Sequence, residues 1–429
     1  MSILKSTRAR ISAFSGLIFL ALILYAADNN HGPVATTPTA RPTDLGAALI
    51  TRRSFPSLSY GIQVFVWWNS GLRSRDLERV RLMRFVYIKQ IIDWNDVKAG
   101  PDQQYNWINA DLVVGETAYR GIKLIARISK PPYWVIKPRD SDPNAPPFDT
   151  GAVQQWCHDL ATRYKGKIAG YQVWNEPNLA REWDNRPPNP QAYVKLLAAC
   201  YQGVKVADPD AVVISAPLAP TGNNDATAMN DERYLQGMFD AGLSNYYDVL
   251  GLNAPGFASL PERDPGSMPD GQRWQAFRHV EDMRAIQVAR GDGAKQVALL
   301  EVGWTTDLRD KIKDSEGKLI DNPYRWHAVS DLVQADNLGR AYDYAAKHWR
   351  PWVGLMVTIY LPDPTWTEDD EEYWWSIASP REEKLRVAFF TLAHMARYID
   401  DQTIPEIDAG LNYYAPLPAW TPTTPTPAP

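Results

Sequence analysis

The sequence predicts an α/β fold, a (β/α)8 TIM barrel built as a single domain, and three observations lead there. Eight short apolar, β-branched runs alternate with stretches of helical period at fairly even spacing. Several of those runs are apolar throughout, as parallel strands covered on both faces are. No Gly-rich phosphate loop follows any strand, which argues against the alternative of an open doubly wound sheet.

The elements follow in order along the chain. Residues 1–10 form a basic segment with Lys5, Arg8 and Arg10, and Ile11–Ala27 then carries no charge. That run lies at the lower limit for crossing a bilayer and is longer than most signal h-regions. Cleavage after Ala27 would put Tyr25 where a small residue is wanted, so a membrane anchor is preferred to a signal peptide. Either reading leaves the basic flank inside and exports the rest to the cell surface or beyond. Residues 28–55 are assigned to a stalk, on the Pro, Thr and Ala content of Asn30–Thr43, and residues 416–429 to a disordered tail of like composition.

The barrel domain is expected over residues 56–415. Its strands are Tyr60–Val66, Phe85–Ile91, Ile122–Ile128, Ile168–Trp174, Ala211–Ala216, Asp248–Asn253, Gln296–Glu301 and Gly354–Tyr360. Amphipathic helices fit at Arg75–Met83, Ala152–Tyr164, Ala192–Val206, Ala328–His348 and Arg381–Tyr398.

Composition narrows the function. A net charge of −5 is too small to suggest nucleic acid. The 17 Trp and 21 Tyr fit either a large aromatic core or a cleft whose rings cover the apolar faces of sugars, and several tryptophans fall on loops. Cys157 and Cys200 both lie on helices; one bridge is an alternative, but two buried thiols are expected. No Cys/His spacing resembles a zinc site, and no metal or cofactor is expected. The acidic run Glu368–Glu372 reads as a solvated face, with a divalent-ion site as the lesser alternative.

Two motifs carry the chemistry. The fourth strand runs into Trp174-Asn175-Glu176-Pro177, and the seventh into Leu300-Glu301-Val302-Gly303-Trp304. Each puts one glutamate at the carboxyl end of a buried strand, where chemistry sits in such barrels. Lys89, Arg127 and Asn253 occupy polar positions near other strand ends, Trp134 and Trp304 sit just past strands, and Tyr360 ends the eighth. Each of the three polar residues is read either as a sugar contact or as a brace of the barrel rim.

On these residues, with Trp94, Tyr105-Asn106-Trp107 and Pro131-Pro132-Tyr133-Trp134 in support, the chain resembles clan A of the glycoside hydrolases over roughly residues 57–400. Within that clan it is most similar to cellulase-type and family 39, β-xylosidase-like members. The resemblance implies retaining hydrolysis, with Glu176 as acid/base, Glu301 as nucleophile and Asn175 on the sugar 2-hydroxyl. It implies a carbohydrate substrate, with Lys89, Arg127, Trp134, Asn253, Trp304 and Tyr360 as further candidate contacts, and the chain is expected to act as a monomer. One departure is plain: the His-x-Tyr of many members is absent from Leu252-Asn253-Ala254-Pro255-Gly256-Phe257, so the tyrosine that supports the nucleophile is missing there. Tyr360 is the candidate substitute. The alternatives are a carbohydrate-binding barrel with impaired catalysis and a transglycosylase of the same mechanism.

Overall fold

The computed structural model describes residues 45–136, 145–314, 316–400 and 402–404. The segments read as an anchor at 11–27 and a tail at 416–429 lie outside these residues. No helix among the described residues is long and apolar enough to cross a membrane.

All eight expected strands form: β1 (Ser59–Gln63), β2 (Tyr87–Asp93), β3 (Lys123–Ser129), β4 (Ile168–Val173), β5 (Val213–Ile214), β6 (Leu250–Pro255), β7 (Val297–Gly303) and β8 (Val353–Thr358). Each is followed by a main helix: α1 (Ser70–Leu82), α2 (Ile108–Tyr119), α3 (Thr150–Arg163), α4 (Pro190–Ala207), α5 (Asp231–Asp240), α6 (Val280–Ala289), α7 (Asp331–His348) and α8 (Val387–His394). The strands pair in parallel in the order β5-β4-β3-β2-β1-β8-β7-β6. A single parallel bridge, Ile214 to Val249, joins the two ends of that order and closes a (β/α)8 TIM barrel.

Local chemistry explains where helices begin. Asp149, Asn189, Asn230 and Ser330 each accept a backbone N–H from the first turn of α3, α4, α5 and α7, and Pro190 opens α4 with its φ already set. The barrel interior is filled by Tyr87, Ile125, Ile214, Val249, Ala298, Leu300, Leu355 and Val357. Phe55 packs among them, held by Gln296, whose side chain accepts the Phe55 N–H at 2.9 Å and donates to its carbonyl at 3.1 Å.

Three expectations are corrected. Residues 45–55, assigned to the stalk by composition, pack on the barrel: Phe55 is fully buried and the Arg284 guanidinium donates to the Leu45 carbonyl at 2.9 Å. Composition sees the prolines and misses one aromatic that finds a hydrophobic socket. The last helix is shorter than Arg381–Tyr398, because Arg397–Ile399 pairs antiparallel with Gln402–Ile404 instead. Cys157 and Cys200 form a disulfide rather than two thiols. Gly203 permits it: a Cβ there would lie 2.2 Å from the Gln154 carbonyl oxygen, so only glycine lets α3 and α4 approach until the two Cα atoms are 5.2 Å apart.

Candidate active site

The chain leaves β4 through a strained turn. Trp174 (φ 73°) and Glu176 (φ 41°) both sit in the left-handed region that non-glycine residues avoid, a conformation costing about 1–3 kcal/mol each. Tertiary bonds hold them there. The Trp174 indole donates to the Glu182 carbonyl at 2.9 Å, and the Glu176 N–H donates to the Pro217 carbonyl at 2.9 Å. The turn aims the Glu176 carboxylate into an open cleft at the carboxyl end of the barrel.

Glu301 reaches the same cleft from β7. One group links the two acids: the Asn253 side-chain amide, from β6, donates to Glu176 Oε1 at 2.9 Å and to Glu301 Oε2 at 3.2 Å. The remaining oxygens are bound by cations. Arg181 donates to Glu176 Oε2 at 3.1 Å, and the buried Lys89 ammonium donates to Glu301 Oε1 at 3.0 Å and to the Leu300 carbonyl at 2.8 Å.

Electrostatics separate these groups. Burial raises the Glu176 carboxyl above its ordinary range; Arg181 pulls the other way, and the charges of Glu301 and Glu182 push it up again. Burial lowers Lys89 to about 8, against the attraction of Glu301, so the ammonium persists at neutral pH.

The other expected contacts divide. Asn253 and Tyr360 line the cleft. Lys89 serves Glu301 from beneath, which is where a partner for that carboxylate is found in the absence of a β6 tyrosine. Asn175 is buried beside the turn, its side-chain oxygen accepting from Gln172 at 3.3 Å. Arg127 donates to Ser129 at 3.0 Å and stands 3.9 Å from Glu182.

Trp134 and Trp304, expected to stack on sugar, are placed elsewhere. Trp134 packs edge-on against Trp94 and donates to the Lys98 carbonyl at 3.4 Å. Trp304 is fully buried, its indole donating to the Ser259 carbonyl at 3.0 Å. Its ring occupies the space over Gly256, where a Cβ would fall 1.8 Å from it. The short-range rule that a tryptophan past a strand faces the mouth fails where a glycine opens a place beneath it.

Several lining residues escaped the sequence reading. Arg181 lies one 3-10 turn beyond the motif, and Phe257 and Trp274 form an edge-to-face pair with ring centroids 5.2 Å apart on one wall. Glu371 and Glu372, read as part of a solvated face, turn into the cleft with Trp375. The acidic run gave no sign of this, because the short helix that carries the two (Glu371–Trp375) is placed by bonds from the distant Thr306, Gln334 and Arg386.

Elsewhere, Glu232, His279 and Asp282 bring ligand-type atoms within 4.8 Å of one another. Both His279 ring nitrogens are engaged by carboxylates, Asp231 at 2.9 Å and Asp282 at 3.1 Å, which makes this a buried imidazolium bridge between α5 and α6.

No family model and no curated protein matches the chain. Solved structures do. A family 39 glycoside hydrolase from Bacteroides cellulosilyticus WH2 superposes with a TM-score of 0.55 at 17% identity, over 81% of this chain and 66% of that one. The chain thus spans just under two thirds of that relative's length. The GH39 enzyme from Xanthomonas axonopodis pv. citri gives 0.52 at 16% identity, over 84% and 71% of the two chains. A GH5_18 protein from Streptomyces cattleya, in complex with Manβ1-4GlcNAc, gives 0.57 at 12% identity over 79% of each chain. At such identities the likeness is one of fold, and the structural neighbours of this barrel are glycoside hydrolases of clan A.

Proposed function

We propose that the chain is a retaining glycoside hydrolase that cleaves O-glycosidic bonds of a poly- or oligosaccharide by double displacement. The observation that carries this is the Asn253 amide shared between Glu176 and Glu301. Two oxygens bound to one nitrogen at 2.9 and 3.2 Å cannot lie farther apart than those two distances end to end. Two carboxyl groups bridged in this way by one amide nitrogen are close neighbours, which fits the ~5–5.5 Å separation of retaining enzymes.

Roles follow from environment. Glu176, its carboxyl raised by burial, protonates the leaving oxygen and later takes a proton from the incoming water. Glu301, faced by the Lys89 ammonium, attacks the anomeric carbon. As the glycosyl-enzyme bond forms, Glu301 gives up its charge, and Asn253 and Lys89 keep its carboxyl oriented throughout. Phe257 and Trp274 supply the apolar wall for a sugar face.

The test is mass spectrometry after incubation with 2-deoxy-2-fluoro glycosyl fluorides. A covalent adduct on the peptide containing Glu301 is expected. A product of inverted anomeric configuration by NMR, with no adduct from any sugar, overturns the assignment.

We also place the folded domain outside the cytoplasm, held at the membrane by residues 11–27. The Cys157–Cys200 disulfide supports this, since such bonds persist in oxidising compartments, as does the uncharged run after a basic flank. Protease digestion of intact cells is expected to degrade the domain; protection of the domain until lysis refutes this placement.

A further inference from the structure

The cleft also carries chemistry that double displacement leaves unused. Four carboxyl groups, Glu176, Glu301, Glu371 and Glu372, line the cleft against one lining guanidinium, Arg181. Glu371 is only 6% exposed, and its Oε1 accepts the Trp375 indole N–H at 3.0 Å while its buried Oε2 has no partner. The buried Oε2 of Glu372 has none either. A third open acceptor in the same cleft is independent of this pair: Asn253 is 4% exposed, and its Oδ1 is unpartnered although its amide nitrogen serves both glutamates.

The pair is rigidly mounted. Thr306 donates through its hydroxyl to the Trp374 carbonyl at 2.9 Å, Arg386 to the Tyr373 carbonyl at 3.0 Å, and Gln334 to the Trp375 carbonyl at 3.3 Å. A buried and a half-buried carboxyl fixed side by side, each with an unpartnered buried oxygen, favour a donor that also brings positive charge. A neutral sugar hydroxyl offers the hydrogen bond but brings no charge that would let the pair ionise.

We propose that Glu371 and Glu372 select a cationic glycone, an amino sugar whose ammonium group donates to their open carboxylate oxygens. This deepens the glycosidase reading and rests on it for the pocket that the glycone enters. The aromatic wall of Phe257 and Trp274 covers the sugar's apolar face while the acidic wall takes the amine. The state of the pair without such a ligand agrees: burial, with repulsion from neighbouring acids, raises Glu372 to about 7 and lifts Glu371 well above its ordinary range.

The test is binding to the full chain by calorimetry at pH 6, which needs no turnover. Methyl β-glucosides carrying a free amine at position 2, 3, 4 or 6 are compared with methyl β-glucoside and with the N-acetylated form of each amine. At least one amine is expected to bind tenfold or more tighter than the neutral sugar, and N-acetylation abolishes the preference. Glu371→Gln and Glu372→Gln are each expected to reduce the amine-to-hydroxyl ratio at least fivefold. The N-acetyl comparison on the unaltered protein decides the matter if either variant fails to fold. Equal or weaker binding of every amine, or a preference that survives both substitutions, overturns the proposal. So does saturable binding of calcium alone that is lost in the same variants, which would make the pair a cation site. Amine-selective binding without hydrolysis of any aryl glycoside would uphold the recognition and sink the hydrolase reading instead.

Discussion

Lys89 and Glu301 form an ion pair at 3.0 Å in which the ammonium is 1% exposed and the carboxylate side chain 14% exposed. The lysine therefore lies beneath the acid, on the barrel side, and leaves the solvent side of Glu301 open to substrate. Breaking a buried pair by deleting one partner leaves the other charge uncompensated, at about 3–5 kcal/mol.

Lys89→Met is accordingly expected to lower kcat/KM by roughly 10²–10³-fold, through kcat. A sugar contact alone would show the opposite division, with KM raised and kcat kept. Steady-state kinetics on an aryl glycoside separates the two.

Glu176 sets the pH dependence. It must be protonated to assist departure of the aglycone, and its carboxyl is raised chiefly by burial. Activity is therefore present below the folded-state pKa of Glu176 and is lost as pH rises through it. Glu176→Gln removes the titrating group and should abolish that alkaline limb, while cutting kcat/KM by about 10²–10⁴-fold for poor leaving groups. Aryl glycosides with acidic phenols should lose far less. An alkaline limb that survives in Glu176→Gln would assign it to another group, Lys89 at about 8 being the nearest candidate.

The barrel was legible because its signals are local and repeated: apolar strand runs, helix caps such as Asn189-Pro190, and strand-end glutamates. The two acids and Asn253 were legible for the same reason, each standing at the end of a strand. What the sequence concealed depends on packing between distant segments. Trp304 is in the core because Gly256 makes room, and the disulfide exists because Gly203 does. Phe55 fills the barrel through Gln296, 241 residues away. Glu371 and Glu372 reach the cleft because Thr306, Gln334 and Arg386 fix the turn that bears them.

The disulfide should matter to stability more than to chemistry. Cys157 and Cys200 are 43 residues apart and join the outer helices α3 and α4, away from the cleft. Closing a loop of that length contributes about 2–4 kcal/mol by restricting the unfolded chain. Cys157→Ser is expected to lower the unfolding free energy by that order and to leave kcat/KM within about twofold. Urea unfolding of the variant, alongside unaltered protein with and without reductant, checks both statements.

His279 gives the fold its own pH dependence at the alkaline end. Burial alone would lower its pKa, but Asp231 and Asp282 overcome this and hold it at about 10, well above the ordinary 6.5. Arg273 completes the cluster by pairing with Asp282, and Glu232 lies 4.0 Å from the ring. Because the folded value is the higher one, the folded state binds the extra proton. The stabilisation is thus complete below about 6.5 and is lost as pH rises through about 10. His279→Gln retains a donor but no charge, and leaves two buried carboxylates facing a neutral group. It should lower stability by on the order of 3 kcal/mol at pH 7, and by much less at pH 10.5, where the unaltered protein has lost its own imidazolium. Urea unfolding at the two pH values measures the difference, and equal losses at both would show that the ring acts by packing alone.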